Sequence, residues 1–171
     1  MTTATVTPAP REIRSWVPSP RVLHAVNPFV AALLRSPLHG LISKQVLLLT
    51  YTGRKTGKPH TIPVGYRREG DTLTILSTRR WWKNLRGGTP VVVRLRGRRQ
   101  TARAEGTGER DAVLAAVEHL VAGHGLADTG RLTGLGLDVT PPPTRDELAR
   151  ALRGHALIRL TLDGGAGRGG V

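Results

Sequence analysis

Short runs in which every second residue is apolar restrict the fold of this 171-residue chain more than any other feature. Side chains in a β-strand point alternately to its two faces, so a period of two indicates a strand with one buried face. Residues 46–51 are apolar almost throughout, which is typical of a strand that is buried more fully. We therefore predict six strands, at residues 46–51, 60–67, 72–77, 91–96, 99–105 and 155–162.

Turn residues between these runs indicate that neighbouring strands form hairpins. Glu69, Gly70 and Asp71 separate one pair, and Gly97 separates another. Closing an antiparallel sheet into a small barrel removes its exposed edges, so we predict a mainly β barrel.

Peripheral helices are predicted on both sides of the strand pattern. Apolar residues recur at helical spacing in 111–122, and Thr144 and Glu147 have the spacing of a capping box. We predict one domain over residues 27–162, with N-terminal helices in 28–43. A flexible N-terminal arm is predicted at 1–26 and a disordered Gly-rich tail at 163–171.

Several classes of chemistry have no counterpart in this sequence. The chain has no cysteine, no GxSxG motif and few acidic residues near the predicted strands, which argues against thiol, serine-nucleophile and paired-carboxylate chemistry. His119 and His124 are five residues apart and are expected to point in different directions, so we predict no metal site. The sequence shows neither a secretory signal nor an apolar run of about 18 residues, and a cytoplasmic location is expected.

The positive charge is concentrated in the β-rich middle of the chain. The formal net charge is +14, and residues 54–99 contain thirteen Lys or Arg residues against two acids, Glu69 and Asp71. Such a field attracts nucleic acid, an anionic membrane surface or a phosphorylated small molecule. The alternative explanation of the excess positive charge is that a GC-rich genome uses Arg as its common solvent-exposed residue.

A turn punctuated by glycine, TGRKTGKP at residues 52–59, places three of these cations between two predicted strands. Glycines let the backbone approach a ligand closely, and Arg54 and Lys55 supply charged donors for an anion. The Gly spacing is not that of a Walker motif, and no helix follows. A solvated hairpin tip is the alternative interpretation.

Two adjacent tryptophans, Trp81 and Trp82, lie in the segment STRRWWKNL at residues 77–85. An indole face stacks on planar rings, and the nearby Asn84 can orient polar ring substituents. The alternative is that one tryptophan caps the barrel. A basic, aromatic barrel without nucleophile, metal or carboxylate pair suits reactions in which a bound cofactor performs the chemistry.

Residues 27–108 resemble the deazaflavin-dependent nitroreductase family, also described as F-420-dependent quinone reductases. The resemblance rests on VLLLTYTGRKTGKPHTIPVGY, the hairpin and Ser-containing strand that follow, and WWKNL, all in the family's order. It implies a split β-barrel like those that bind FMN. It also implies coenzyme F-420, an 8-hydroxy-5-deazaflavin, as the cofactor rather than FMN. The tail of this coenzyme carries a phosphate and a chain of glutamates.

The resemblance also implies roles for individual residues. Arg54, Lys55 and Thr56 would hold the phosphate and the glutamate tail. The other implied cofactor contacts are the strand residues His60, Thr61, Ile62, Pro63, Val64 and Gly65, the ring contacts Leu76, Ser77, Thr78 and Arg79, and the closing residues Trp81, Trp82, Lys83 and Asn84.

The chain lacks an aromatic residue and a late tyrosine that the best-known nitroreductases have. It has Gly65 where they have an aromatic residue, and no tyrosine follows Tyr66. Ser77 and Thr78 are the hydroxyls that remain near the implied ring position, and they are the candidate catalytic residues.

The implied function is transfer of hydride from reduced F-420 to a quinone or nitro-aromatic acceptor, in a monomer or homodimer. Two alternatives are a non-catalytic carrier of the cofactor and a basic barrel that binds single-stranded nucleic acid, which we do not favour. The basic, apolar segment 28–43 would rest on an anionic membrane or pack against the barrel as a plug.

Overall fold

The computed structural model describes residues 12–14 and 45–163. Most of the predicted arm at 1–26, the predicted helices in 28–43 and nearly all of the tail at 163–171 lie outside the described residues. The described residues form seven strands: β1 Val46–Thr52, β2 Pro59–Gly65, β3 Arg67–Glu69, β4 Thr72–Ser77, β5 Thr89–Leu95, β6 Arg98–Thr107 and β7 Ala156–Leu162.

In the part of the chain that the structure describes, three helical elements accompany the strands. A 3₁₀ helix, Arg80–Leu85, connects β4 to β5. Helix α1, Arg110–Thr133, is interrupted at Gly125, whose φ of 81° and ψ of 170° are not helical. Helix α2, Arg145–Ala151, begins with the predicted capping box, in which Thr144 and Glu147 hydrogen-bond reciprocally.

The strands form one antiparallel sheet in the order β2-β1-β5-β6-β7-β4-β3. Its two edge strands, β2 and β3, are separated in the chain by Tyr66 alone, so the sheet must curl until its edges meet. The N–H of Tyr66 donates to the carbonyl of Gln45, 3.0 Å away, rather than to the opposite edge. The result is a barrel that is split between β2 and β3, which confirms the predicted fold class.

Alternate residues of each strand fill the barrel. Leu47, Leu49 and Tyr51 of β1 point inward, and the interior cluster takes matching residues from the other long strands. The interior is almost entirely aliphatic at its centre, where Leu49, Val93 and Ile158 are fully buried. The period of two in the sequence therefore corresponds to the inner face of the barrel.

A second core lies between the helices and the outer face of β4 and β7. Leu76 and Leu157 pack there against Val117 and Leu120 of α1 and against Leu148 of α2. The helices thus cover one outer side of the barrel. Among residues 12–14 and 45–163, no helix is long and apolar enough to cross a membrane.

Several strand ends shift by one or two residues, and two elements differ more strongly from the sequence-based expectation. The run 60–67 was expected to be one strand, but Tyr66 divides it into β2 and β3, because the chain passes there from one sheet edge to the other. The helix expected at 111–122 continues to Thr133, beyond the break at Gly125.

Two glycines, Gly106 in β6 and Gly108 directly after it, give the 3₁₀ helix its position. A Cβ on Gly106 would lie 2.8 Å from the carbonyl oxygen of Trp82, and one on Gly108 would lie 2.9 Å from the Trp82 ring. Trp82 is 9% exposed and fills the space that these missing side chains leave. The close approach of β6 therefore decides where the segment 80–85 sits.

We expect Gly106→Ala to lower the free energy of unfolding by about 1–3 kcal/mol, because the added methyl group meets a backbone oxygen that cannot turn away. The control is Gly123→Ala, where an added Cβ meets nothing within 4 Å. That change should be neutral or should stabilise by about 0.4–1 kcal/mol. Urea denaturation of both variants measures the difference, and equal effects would contradict the packing described here.

Candidate functional site

The hairpin loop between β1 and β2 has its own hydrogen-bonded structure. The N–H of Gly53 donates to the carbonyl of Lys58 (2.9 Å), and the N–H groups of Thr56 and Gly57 donate to the carbonyl of Gly53 (3.2 and 2.8 Å). Gly57 has a φ of 64°, in the left-handed region that glycine adopts without strain. The loop 53–58 is therefore a defined turn.

Gly53 is required by the packing of this loop. A Cβ at this position would lie 2.8 Å from the Thr56 hydroxyl oxygen and 3.0 Å from His60 Nε2. The Thr56 hydroxyl in turn accepts a hydrogen bond from the N–H of Lys58 (3.3 Å). The TGRKTG pattern is thus explained locally by close contacts around one glycine.

Asn84 joins the loop to the 3₁₀ helix. Its side-chain oxygen accepts a hydrogen bond from the N–H of Arg54 (3.0 Å), and its side-chain nitrogen donates to the carbonyl of Trp81 (2.9 Å). The Arg54 guanidinium also reaches the carbonyl of Lys83, at 3.5 Å. Two segments that are thirty residues apart in the chain are therefore held side by side.

Three aromatic rings form a row beside this junction. Tyr51 lies between His60 and Trp81, with ring centroids 5.5 Å and 5.9 Å away and interplanar angles of 27° and 26°. The geometry follows from the register of the hairpin, in which Tyr51 is directly opposite His60. His60 is exposed and Trp81 is half-buried, while Tyr51 between them is buried, so the accessible ring surface lies at the two ends of the row.

Tyr51 is a residue that the sequence analysis did not assign to the site. Its position could have been found by counting back from the Gly53 loop, since the closed hairpin pairs it with His60. Burial raises the pKa of Tyr51 above its ordinary value of 10.0. Its hydroxyl therefore stays protonated at neutral pH.

The cations of the loop, Arg54, Lys55 and Lys58, are exposed. Within residues 12–14 and 45–163, no carboxylate forms an ion pair with Arg54, Lys55 or Lys58. Their charge is available to an anion from outside the chain.

The implied strand residues are divided between the two faces of β2. Ile62 and Val64 are half-buried against the barrel interior. Thr61 precedes Ile62 and lies on the other face of β2. It is exposed, and its hydroxyl lies 2.9 Å from the hydroxyl of Thr50. Pro63 is half-buried and Gly65 is exposed.

The residues that the resemblance implies as ring contacts also lie in different environments. Leu76 packs beneath the helices, while Ser77 lies at the end of β4 and accepts a hydrogen bond from the N–H of Arg79 (3.1 Å). Thr78 is exposed. Trp82 is buried below Trp81, with the Arg86 guanidinium 4.7 Å from its ring centroid and the Lys83 ammonium 5.9 Å away.

The two histidines of α1 do not behave as expected. Nε2 of His119 lies 3.1 Å from one carboxylate oxygen of Glu69, and Nε2 of His124 lies 3.7 Å from the other. They were expected to point apart, but Glu69 lies between them on β3 and both side chains reach it. The absence of a metal site stays a prediction.

Cavities in the described part of the chain also lie away from this junction. One, of about 580 Å³, is lined largely by residues 130–139, and another, of about 510 Å³, lies between the start of α1 and α2. The junction is an exposed surface of cations and stacked rings. Cations beside ring surface suit a planar ligand that carries negative charge.

A split barrel with a hydrogen-bonded basic loop beside stacked aromatic rings is typical of proteins that bind a planar anionic cofactor. The sequence model of the F420H(2)-dependent quinone reductase family matches residues 35–123, more than half of the 171-residue chain. The chain belongs to this family. It is an F-420-dependent reductase, and its cofactor is coenzyme F-420.

The solved structures that match these coordinates have low sequence identities and low TM-scores. The "F420-H2 Dependent Reductase (FDR-A)" is 14% identical with a TM-score of 0.41, covering 68% of this chain and 94% of that one. A FAD-binding protein from Mesorhizobium loti is 15% identical with a TM-score of 0.44, covering 88% and 93%. These values are too low for any inference about this chain. No curated protein matches its sequence.

The residues of the junction fit the chemistry of F-420. Unpaired loop cations and loop N–H groups are suitable donors for a phosphate and for carboxylates. The Trp81–Tyr51–His60 row offers aromatic surface beside them.

We expect Asn84→Ala to release the loop from the 3₁₀ helix. Loss of both hydrogen bonds should lower the free energy of unfolding by about 1–3 kcal/mol. It should also speed hydrogen exchange at the Arg54 amide. The control is Lys83→Ala, which leaves the Lys83 carbonyl in place and should change stability by about 0.5 kcal/mol or less. Unchanged exchange at Arg54 in the Asn84 variant would show that this hydrogen bond does not hold the loop.

The raised pKa of Tyr51 predicts a specific loss of stability at alkaline pH. Above pH 10 the unfolded chain loses the Tyr51 proton before the folded chain does, so the free energy of unfolding falls as pH rises. Tyr51→Phe removes this contribution and keeps the ring. The melting temperatures of the two proteins, plotted against pH, should differ by a constant amount up to about pH 9 and should converge or cross above pH 10. Parallel curves at every pH would contradict this account.

Proposed function

We propose that the chain transfers hydride from bound, reduced F-420 to a quinone or nitro-aromatic acceptor. The observation that carries the proposal is the junction at Asn84, which fixes the unpaired cations of the loop next to the aromatic row. When bound, the deazaflavin ring supplies the hydride. The residues of the chain bind the cofactor, orient it and position the acceptor.

The loop would hold the anionic part of the cofactor. Arg54 and Lys55 carry exposed charge, and Thr56 lies between them and Gly57 in a turn that hydrogen bonds already fix. A site that is ordered before binding loses less conformational entropy when the ligand arrives. The phosphate is therefore assigned to this loop.

The ring would lie against the exposed end of the aromatic row, with β2 beside it. Trp81 and His60 present the accessible surfaces, while Asn84 is occupied by its two hydrogen bonds and keeps the two segments aligned. Leu76 and Trp82 are buried, so their proposed contribution is support from behind the site rather than polar contact.

Ser77 and Thr78 would position the acceptor. The Ser77 oxygen already accepts the N–H of Arg79, so its hydroxyl hydrogen is left to donate to another oxygen. A quinone or nitro oxygen near the end of β4 is a suitable acceptor for this hydrogen bond. Thr78 is exposed next to it and offers a second donor.

A non-catalytic carrier is the second candidate, because the chain has no tyrosine beyond Tyr66 to serve as a further proton donor. Binding to single-stranded nucleic acid is a third candidate that the net charge alone favours. It would weaken steeply between low and moderate salt, whereas a cofactor held partly by ring contacts would weaken far less. Membrane contact through 28–43 lies outside the described residues and stays a prediction.

We expect saturable binding of F-420 that quenches tryptophan fluorescence. Lys55→Ala should weaken binding about tenfold, the value of one charge-assisted contact that solvent partly screens. The matched control is Arg153→Ala, which removes one charge from a turn next to β7. Tight binding of FMN with no saturable binding of F-420 would overturn the cofactor assignment for this site.

Turnover separates the reductase from the carrier. Reduced F-420 should be oxidised when menadione or a nitro-aromatic compound is added, and absorbance of the oxidised deazaflavin reports the rate. Ser77→Ala should lower kcat by about tenfold or more with little change in cofactor affinity, since its hydroxyl is assigned to the acceptor. Binding without turnover across a panel of both acceptor classes would support the carrier.

A further inference from the structure

The cavity of about 510 Å³ lies between the start of α1, the helix α2 and the turn that follows α2. Its floor is apolar, and the floor residues Trp82, Val113, Leu114 and Leu152 are each less than one-tenth exposed. The volume is within the range of ordinary small-molecule sites. A ligand with a compact apolar part therefore fits against this floor.

The rim of this cavity carries four arginines. Arg110, Arg145, Arg150 and Arg153 line it, and all four are exposed. Arg145 is paired with Glu118 at 2.9 Å. In the part of the chain that the structure describes, the other three form no ion pair with a carboxylate. Guanidinium groups bind carboxylates through two parallel hydrogen bonds, so this rim suits a carboxylate.

Two carboxylates on the same rim limit the charge of the ligand. Asp111 and Asp146 also line the cavity, and both are exposed. A ligand with several negative charges is repelled by both of them, as F-420 with its phosphate and glutamates would be. A single carboxylate with a hydrogen-bond donor next to it suits this mixture of charges.

His155 adds a buried hydrogen-bond acceptor to the residues that line this cavity. It follows Gly154, whose φ is 82°, and is 7% exposed, and its Nε2 lies 3.1 Å from the carbonyl oxygen of Thr133. Because a carbonyl oxygen only accepts, Nε2 carries the hydrogen of the neutral ring and Nδ1 is left as an acceptor. Nδ1 has no hydrogen-bond partner among the described residues. A buried polar atom without a partner is costly, so a ligand N–H or O–H that donates to Nδ1 is favoured.

We propose that this cavity binds a small amphipathic acid, with one carboxylate, an N–H or O–H donor next to it and an apolar side chain. Arg150 and Arg153 hold the carboxylate, Nδ1 of His155 accepts the hydrogen bond from the donor, and the apolar side chain packs on the floor. α-Hydroxy acids and apolar α-amino acids share this chemistry. The site is separate from the junction at Asn84 and does not depend on the cofactor assignment.

Calorimetric titrations with matched phenyl compounds test each part of the site. Phenyllactate and phenylalanine should bind saturably, and the tighter of the two identifies the donor as O–H or N–H. Phenylpropionate, which lacks the donor, should bind about tenfold more weakly, and phenethylamine, which lacks the carboxylate, weaker still. The ¹⁵N signal of His155 Nδ1 should shift with phenyllactate but not with phenylpropionate, which separates this contact from one with Asp111 or Asp146.

The double variant Arg150→Gln and Arg153→Gln should bind phenyllactate about tenfold more weakly than the wild-type chain, because two exposed charge-assisted contacts are lost. The matched control is Arg94→Gln with Arg99→Gln, which removes two charges from facing positions of β5 and β6. It should bind phenyllactate like the wild-type chain. Equal weakening in both variants, unchanged affinity in the first, equal affinity for phenyllactate and phenylpropionate, or no saturable binding by the wild-type chain would overturn the site.

Discussion

The site depends on one side chain with two hydrogen bonds. Asn84 holds the Arg54 amide on one side and the Trp81 carbonyl on the other, so the basic loop and the aromatic row become one surface. Each segment alone is an ordinary feature of a small barrel. Joined, they place positive charge beside ring surface, which is the arrangement that we propose binds the deazaflavin.

The barrel provides the rigid frame for this junction. β1 lies between β2 and β5, so the register that places Tyr51 opposite His60 is the register that closes the loop. On the other side, Gly106 and Gly108 allow β6 to approach Trp82 and fix the 3₁₀ helix. The loop and the helix are therefore positioned by different strands of the same sheet, and Asn84 connects them where they meet.

Much of this arrangement could be predicted from the sequence, because alternation of apolar residues encodes the inner face of each strand. The capping box at Thr144 and the turn at TGRKTG could also be predicted from the sequence, because local hydrogen bonds and glycine conformations determine them. The break at Tyr66 was not, because the alternation continues through it and only closure of the barrel divides the strand. The positions of Leu76 beneath the helices and of Tyr51 in the aromatic row depend on which faces meet in space. The shared contact of His119 and His124 with Glu69 depends on β3, which the sequence analysis did not recognise as a separate strand.

The central claim is that the loop and the aromatic row form a single binding surface for F-420. The most direct test is a ¹H–¹⁵N NMR titration of the labelled chain with F-420. The account predicts that the amides of residues 53–58 and the Trp81 indole shift along one saturating curve, with a shared dissociation constant. Shifts that leave the loop unchanged and appear instead in the cleft between α1 and α2, at Arg110, Arg150 and His155, would contradict it.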